Sequence, residues 1–266
     1  MKTVKIYAGV WLLAGFMAGV ATAQELLSAK EVQQKSIEAT RVDGLESLST
    51  LLIINEHGEE RVRKMAVVSR VYDHGTLEKK LIRFLEPADV KDTGFLSYDY
   101  NEKDDDKWIY MPALRKTRRI ISSENAKSFM GSEFSYADMS LPTVEDFTYA
   151  FLPDETVGEE LCYVMEVIPK NDDIQEEYGF SKKIMSISKH DFVPRKAIYY
   201  DFFGDQEKIM EVNAVIEVDQ QKHKYKMQEI LMTNVQDKRK SISRIDQIQF
   251  NPGIPDEYFT TRYLEK

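Results

Sequence analysis

The feature that most constrains this chain is a two-residue hydrophobic period that sets in near residue 48 and persists almost to the end. It is cleanest in "KIMEVNAVIEV". There Met210, Val212, Ala214, Ile216 and Val218 fall on one side, and Glu211, Asn213 and Glu217 on the other, with Val215 the apolar exception. Such alternation puts the two sets on opposite faces of an extended strand. The same texture recurs in "LSTLLII", "ERVRKMAVV", "TLEKKLIRFL", "TGFLSYDY", "DKWIYM", "ELCYVMEVI", "KKIMSIS", "RKAIYYDFF", "YKMQEILM" and "SISRIDQIQF". About ten strands joined by turn signals such as "NEHGEE" and "DHG" describe an antiparallel meander, not βαβ units. Helix is expected at the start, from Gln24 to Thr40, where Leu26, Leu27, Val32 and Ile37 recur at helical spacing. "EPADVKDTG" and "PTVEDF" read as short helical turns, the second with Thr143 and Asp146 placed for a capping-box-like start.

Several strands are apolar on both sides. "WIYM" sets Trp108, Ile109, Tyr110 and Met111 in succession, and "LLII" and "AIYYDFF" behave alike. A sheet with one wet face would be polar at every second position. Two architectures explain the exception: a curved sheet whose inner face lines a cavity or packs on helices while part of its outer face is also covered, or a packed sandwich. Eleven Met with thirteen Phe and fourteen Tyr favour an adaptable apolar pocket, because Met reshapes around varied ligands.

The first residues bear on compartment. Lys2 and Lys5 precede an apolar run from Ile6 to Val20, followed by Ala21-Thr22-Ala23. That is the layout of a secretory signal peptide with an A-x-A cleavage site, and the run is short of the roughly 20 residues a spanning helix needs. We therefore expect residues 1–23 to be a signal peptide cleaved after Ala23, and residues 24–266 to be one domain exported to the periplasm. A lipid anchor needs a cysteine just after the apolar run; the one cysteine is Cys162, in "LCYVMEV", where core packing is the expected role. The chain carries 45 acidic and 36 basic residues, net −9. A general nucleic-acid binder needs a dominant basic face, so that class is excluded.

Catalytic constellations are absent. There is no G-x-S-x-G elbow and no glycine-rich phosphate loop. His57, His74, His190 and His223 are scattered without metal-ligand spacing, and Asp104-Asp105-Asp106 lacks calcium-loop spacing and reads as a hydrated turn. No enzyme activity, metal or cofactor is expected. The strongest local anomaly is basic: Lys107, Arg115, Lys116, Arg118 and Arg119, with no acid among them, are interleaved with Trp108, Tyr110 and Leu114. A solvated strand face explains this run. So does contact with an anionic headgroup, a membrane surface or an acidic partner, and Arg115, Arg118 and Arg119 are the candidates for that contact.

Four ordered stretches, "RFLEPADVKDTGFLSYDY", "DDKWIYMPALRKTRRI", "SENAKSFMGSEFSYADM" and "IQFNPGIPDEYFTTRYLEK", resemble successive motifs of the LolA-like outer membrane lipoprotein-sorting family of Gram-negative bacteria, over roughly Leu81 to Leu264. The resemblance implies a mainly antiparallel β (α+β) fold: a strongly curved, incomplete barrel of the LolA/LolB type, closed by short helices over a hydrophobic cavity. It implies a carrier of lipid or lipoprotein acyl chains, with an inner-membrane RND-type transporter as a partner in this branch. A non-carrier accessory protein docking on such a transporter through the basic strand is the alternative. The chain is longer than the lipoprotein carriers themselves, which leaves ligand and partner open. On this reading Leu96, Tyr98, Trp108, Tyr110, Phe129, Met130, Phe134 and Tyr136 are expected at the cavity or its mouth, with Gly131 as a hinge.

Overall fold

The computed structural model describes residues 27–266. The expected signal peptide, its cleavage point and residues 24–26 lie outside the described residues.

Helix α1 (Ala29–Thr40) starts where Ser28 caps it: the Ser28 hydroxyl accepts the Glu31 N–H, and the Glu31 carboxylate reaches back to the Ser28 N–H. Thirteen strands follow. The first six are β1 (Gly44–Ile54), β2 (Glu60–Tyr72), β3 (Leu77–Glu86), β4 (Gly94–Tyr100), β5 (Asp106–Met111) and β6 (Lys116–Ile120). Then come β7 (Phe147–Val157), β8 (Glu160–Pro169), β9 (Lys182–Ser188), β10 (Pro194–Tyr200), β11 (Gln206–Asp219), β12 (Lys224–Asn234) and β13 (Arg239–Phe250). Helix α2 (Asp172–Tyr178) sits between β8 and β9, and α3 (Thr261–Leu264) near the C-terminus.

All thirteen strands form one antiparallel sheet in the order β6-β5-β4-β3-β2-β1-β13-β12-β11-β10-β9-β8-β7. It consists of two meanders, β1 to β6 and β7 to β13, joined where β13 pairs with β1 from Leu45–Phe250 to Ile54–Lys240. The edges, β6 and β7, are neighbours in sequence, linked by the stretch from residue 121 to 146. Laid flat, such a sheet would be roughly 55–60 Å wide. Yet Ile109 and Ile120 from one margin share a single buried cluster with Phe147, Met165 and Val167 from the other. The sheet must therefore curl, and it stops short of closing into a barrel.

The curl separates two cores. The inner one gathers Leu51, Met65, Phe84, Phe95, Met165, Ile187, Met210 and Met232 around Ala29 and Val32 of α1. The outer one is smaller: Leu81 and Leu96 lie beneath Ile254, Phe259 and Leu264, with Tyr72, Tyr98, Trp108 and Tyr110 packed around them. The C-terminal segment thus covers the outside of β2 to β5. This is why "FLSYDY" and "WIYM" are apolar on successive residues: Phe95 and Ile109 point inward, Leu96 and Trp108 outward. Three local expectations differ from the fold. The turn at Val144–Asp146 forms without a side-chain cap from Thr143; Leu27 and Ser28 precede α1 and are not part of it; and the strand expected over "RKAIYYDFF" ends at Tyr200, which leaves Phe202 and Phe203 exposed in the turn that follows.

Candidate functional site: the interior of the half-barrel

Two elements outside the sheet, the linker and α1, pack onto its inner face. The linker between the two edge strands, the "RRIISSENAKSFMGSEFSYADM" region, leaves β6, dives across the interior and returns to β7. At its tip it folds into a small hairpin, closed by a Ser128–Ser135 bridge and a 2.7 Å bond from the Phe129 N–H to the Phe134 carbonyl. Met130 and Gly131 both adopt left-handed angles (φ +54° and +74°), which turns the chain sharply enough to send Phe129 and Phe134 the same way. Phe129 is 2 % exposed and packs on Phe84, Phe95 and Tyr136 at 6.0, 5.5 and 5.6 Å between ring centres. Against Phe95 and Tyr136 the rings meet edge to face, an arrangement that attracts beyond simple burial, while Phe84 is tilted at 35°.

Polar latches hold this hairpin to the middle of the sheet. Arg63 of β2 donates to the Met130 carbonyl. Arg239 of β13 donates to the Gly131 carbonyl at 3.2 Å and pairs with Glu133 at 2.9 Å. Ser241 accepts the Glu133 N–H at 3.0 Å. Helix α1 covers the remaining opening and is held lightly: its buried apolar residues are Ala29 and Val32, while Gln33, Ser36 and Thr40 make up the rest of its inward face.

Under these two elements runs a lane that becomes visible only from strand register. Met165 of β8 pairs with Met185 of β9, Met185 with Ala197 of β10, Ala197 with Met210 of β11, and Met210 with Met232 of β12. All five are buried on the inner face. Four strand steps span roughly 19 Å. Methionine is the residue best able to repack around an irregular apolar guest.

The eight residues expected at one cavity are divided between the two faces. Phe129, Phe134 and Tyr136 are buried in the inner core, with Met130 half-buried against it. Leu96 is fully buried in the outer core, and Tyr98, Trp108 and Tyr110 surround it under the C-terminal segment; the Tyr98 hydroxyl donates to the Phe259 carbonyl. Strand parity is the cause, since these four sit at even positions and the inward residues of β4 and β5 at odd ones. Gly131 lies at the surface, beside a small recess of about 110 Å³. The basic run is largely neutralised: Arg118 pairs with Glu124 at 2.7 Å and Arg119 with Asp106, Lys107 is buried beside Asp105 at 3.3 Å, and Arg115 sits exposed on the β5–β6 turn. Cys162 is buried, and burial pushes its thiol up, away from the reactive thiolate.

A family model described as "uncharacterized protein" matches residues 76–266. Among solved structures, a Vibrio parahaemolyticus domain named for outer membrane lipoprotein sorting is 26% identical, with a TM-score of 0.81 over 90% of this chain and 98% of its own. A DUF1329 family protein from Desulfovibrio piger is 25% identical, with a TM-score of 0.81 over 89% of this chain and 97% of its own. The chain belongs to the family of that model, and its fold is LolA-like. A LolA superfamily protein from Nitrosomonas europaea, 17% identical, shares the fold with a TM-score of 0.67 over 90% of this chain and 100% of its own. No curated protein matches the chain.

One end of the LolA-like interior is charged. Beneath the C-terminal half of α1, Glu78 and Asp99 are 1 % and 2 % exposed. Lys80 stands 3.7 Å from Asp99 and Arg41 4.0 Å from Glu78. Burial pushes Glu78 up, but Lys80, Lys226 and Arg41 outweigh it and leave its carboxyl below the usual range. Burial dominates at Asp99, which is raised to about 6. Outside this cluster opens a cleft of about 720 Å³, lined among others by Ile37, Arg41, Tyr72, Tyr100, Leu141 and Lys224. A second cleft, of about 580 Å³, lies on the other flank of α1 around His190, Phe192 and Tyr225. The sequence places Ile37 on a helix and His190 among scattered histidines, but it assigns neither to a cleft, because no spacing links α1 to the turns that face it. None of the eight expected cavity residues lines either cleft. Among the described residues no group of three or more His, Cys, Asp or Glu is placed to hold a metal ion, and no helix is long and apolar enough to cross a membrane.

Proposed function

We propose that this LolA-like protein is a periplasmic carrier that takes the acyl chains of a lipid or lipoprotein into its half-barrel, in the service of lipoprotein sorting or lipid export across the envelope. The observation that carries the reading is the methionine lane from Met165 to Met232, overlaid by elements that the sheet's own backbone bonding does not include. An acyl chain transferred from water gains about 0.8 kcal/mol per buried CH₂. A long chain can therefore offset the displacement of the hairpin, with its buried Phe129 and Phe134, and of α1, which buries only Ala29 and Val32 as apolar residues. No covalent step is needed, and an RND-type transporter is the partner class proposed to load or receive the cargo.

The test is native mass spectrometry of the protein purified from a periplasmic extract, paired with titration of a fluorescent fatty acid. The expected result is a bound lipid of defined mass that the probe displaces. Arg63→Ala combined with Arg239→Ala, which releases the Met130 and Gly131 carbonyls, should speed probe uptake. Protein that carries no lipid and rejects the probe in wild-type and unlatched forms would refute the carrier.

A further inference from the structure

Three basic side chains among the described residues are buried: Lys107, Lys183 and Arg195. Two of them have an acid at hand. Lys107 lies 3.3 Å from Asp105, and Arg195 lies 2.6 Å from Asp191. Lys183 has none within ion-pairing distance among the described residues, although it is only 9 % exposed. Basic residues are rarely buried without a partner, because a lone charge taken out of water is costly.

The surroundings of Lys183 are aromatic. It lies on β9 at the inward parity of Met185 and Ile187. Its Nζ stands 5.2 Å from the ring centre of Phe180, 5.7 Å from Tyr199 and 5.8 Å from Phe147. The Phe147 and Phe180 rings are stacked at 6.0 Å and 9°. Ring faces at this distance favour a cation and hold its charge in place. The acid that acts on it electrostatically is Asp138, but that carboxylate is engaged locally, accepting the Ser135 N–H at 2.7 Å and the Ser135 hydroxyl at 2.9 Å. Lys183 pairs in register with Val167 and Tyr199, two residues and so one inward-facing row along from the Met165–Met185–Ala197 row. It also lies beside the 137–139 turn of the linker, one of the elements that must move if the interior opens.

We infer that Lys183 receives the anionic head of a single-chain amphiphile, a carboxylate or a phosphate, whose acyl chain follows the methionine lane. The inference rests on the carrier reading and narrows its cargo: a chain with an anionic head satisfies the ammonium, and a neutral one does not. Desolvation lowers the ammonium to about 8, so it still carries its charge at neutral pH.

The experiment is calorimetric titration of the mature protein and of Lys183→Met with laurate, dodecyl phosphate and neutral dodecanol. Charge-assisted hydrogen bonds in a low-dielectric site correspond to roughly tenfold or more in affinity. Lys183→Met is expected to lose that much for at least one of the two anions and to bind dodecanol within about twofold of wild type, by the same scale. The anion with the larger loss identifies the head. Dodecanol binding also serves as the control that the variant is folded. Unchanged anion affinities in Lys183→Met, or an equal loss for all three ligands, would overturn the assignment while leaving the carrier standing. A wild-type protein that binds none of the three overturns the carrier, and this inference falls with it.

Discussion

The linker hairpin is either part of the cooperative core or a loose gate, and Phe129→Ala separates the two. Phe129 is 2 % exposed and touches Phe84, Phe95 and Tyr136. Removing a buried phenyl ring costs about 3–5 kcal/mol, more where the surroundings cannot collapse into the void. Collapse is hindered here: Arg63, Arg239 and Ser241 pin the hairpin from outside, and the strands carrying Phe84 and Phe95 are locked in the sheet. The upper half of the range applies, about 4–5 kcal/mol. For a domain of this size each kcal/mol shifts Tm by roughly 2–4 °C, so melting by circular dichroism should fall by about 8 to 20 °C. Urea unfolding should show a lower midpoint with an unchanged slope. A variant that melts within about 2 °C of wild type would show that the hairpin unfolds separately from the sheet, and would refute its place in the core.

Three other outcomes follow from the geometry. Phe259→Ala, which opens the outer core beneath Tyr72 and Leu96, should cost about 3–5 kcal/mol and shift Trp108 emission to the red. Lys183→Met should raise stability at pH 7, by roughly 3 kcal/mol if the whole shift from the model-peptide lysine is realised. The folded ammonium is depressed to about 8, so the wild-type deficit is full below pH 8 and shrinks as pH rises toward the unfolded value; denaturation curves from pH 7 to 10 should converge. Arg119→Ala, which removes a surface pair with Asp106, should change stability by no more than about 1 kcal/mol in urea melts.

Strand parity was legible in the sequence; its sign was not. The period-two runs mark most strands and the alternation in "KIMEVNAVIEV", yet nothing in "WIYM" says whether Trp108 or Ile109 points inward. That depends on the covering segment, Ile254 to Leu264, which is remote in sequence. Strand β7 escapes the pattern because it is an edge strand, largely exposed, with Pro153 in a register break between Leu152 and Glu155. Helix α2 is a short element whose evidence is its ends, the Asn171 cap and the left-handed Gly179, not an apolar stripe. The methionine lane is invisible for a different reason: its members lie on five strands and become neighbours only through register. The linker around Phe129 has no period at all, because a segment that plugs a core follows the shape of the hole.

The seam between β1 and β13 has a kinetic consequence. It joins strands from opposite ends of the described chain, Leu45 against Phe250, so vectorial synthesis cannot complete the sheet piecemeal. Until β13 arrives, β1 presents an unpaired margin, and so does β12. Pairings this remote in sequence are slow to form, typically milliseconds to seconds. Throughout that interval the nascent protein displays two sticky ladder edges and an unplugged apolar trough. Refolding rate and yield should therefore be most sensitive to substitutions along Leu45 to Ile54 and their partners on β13, even where the finished protein tolerates them.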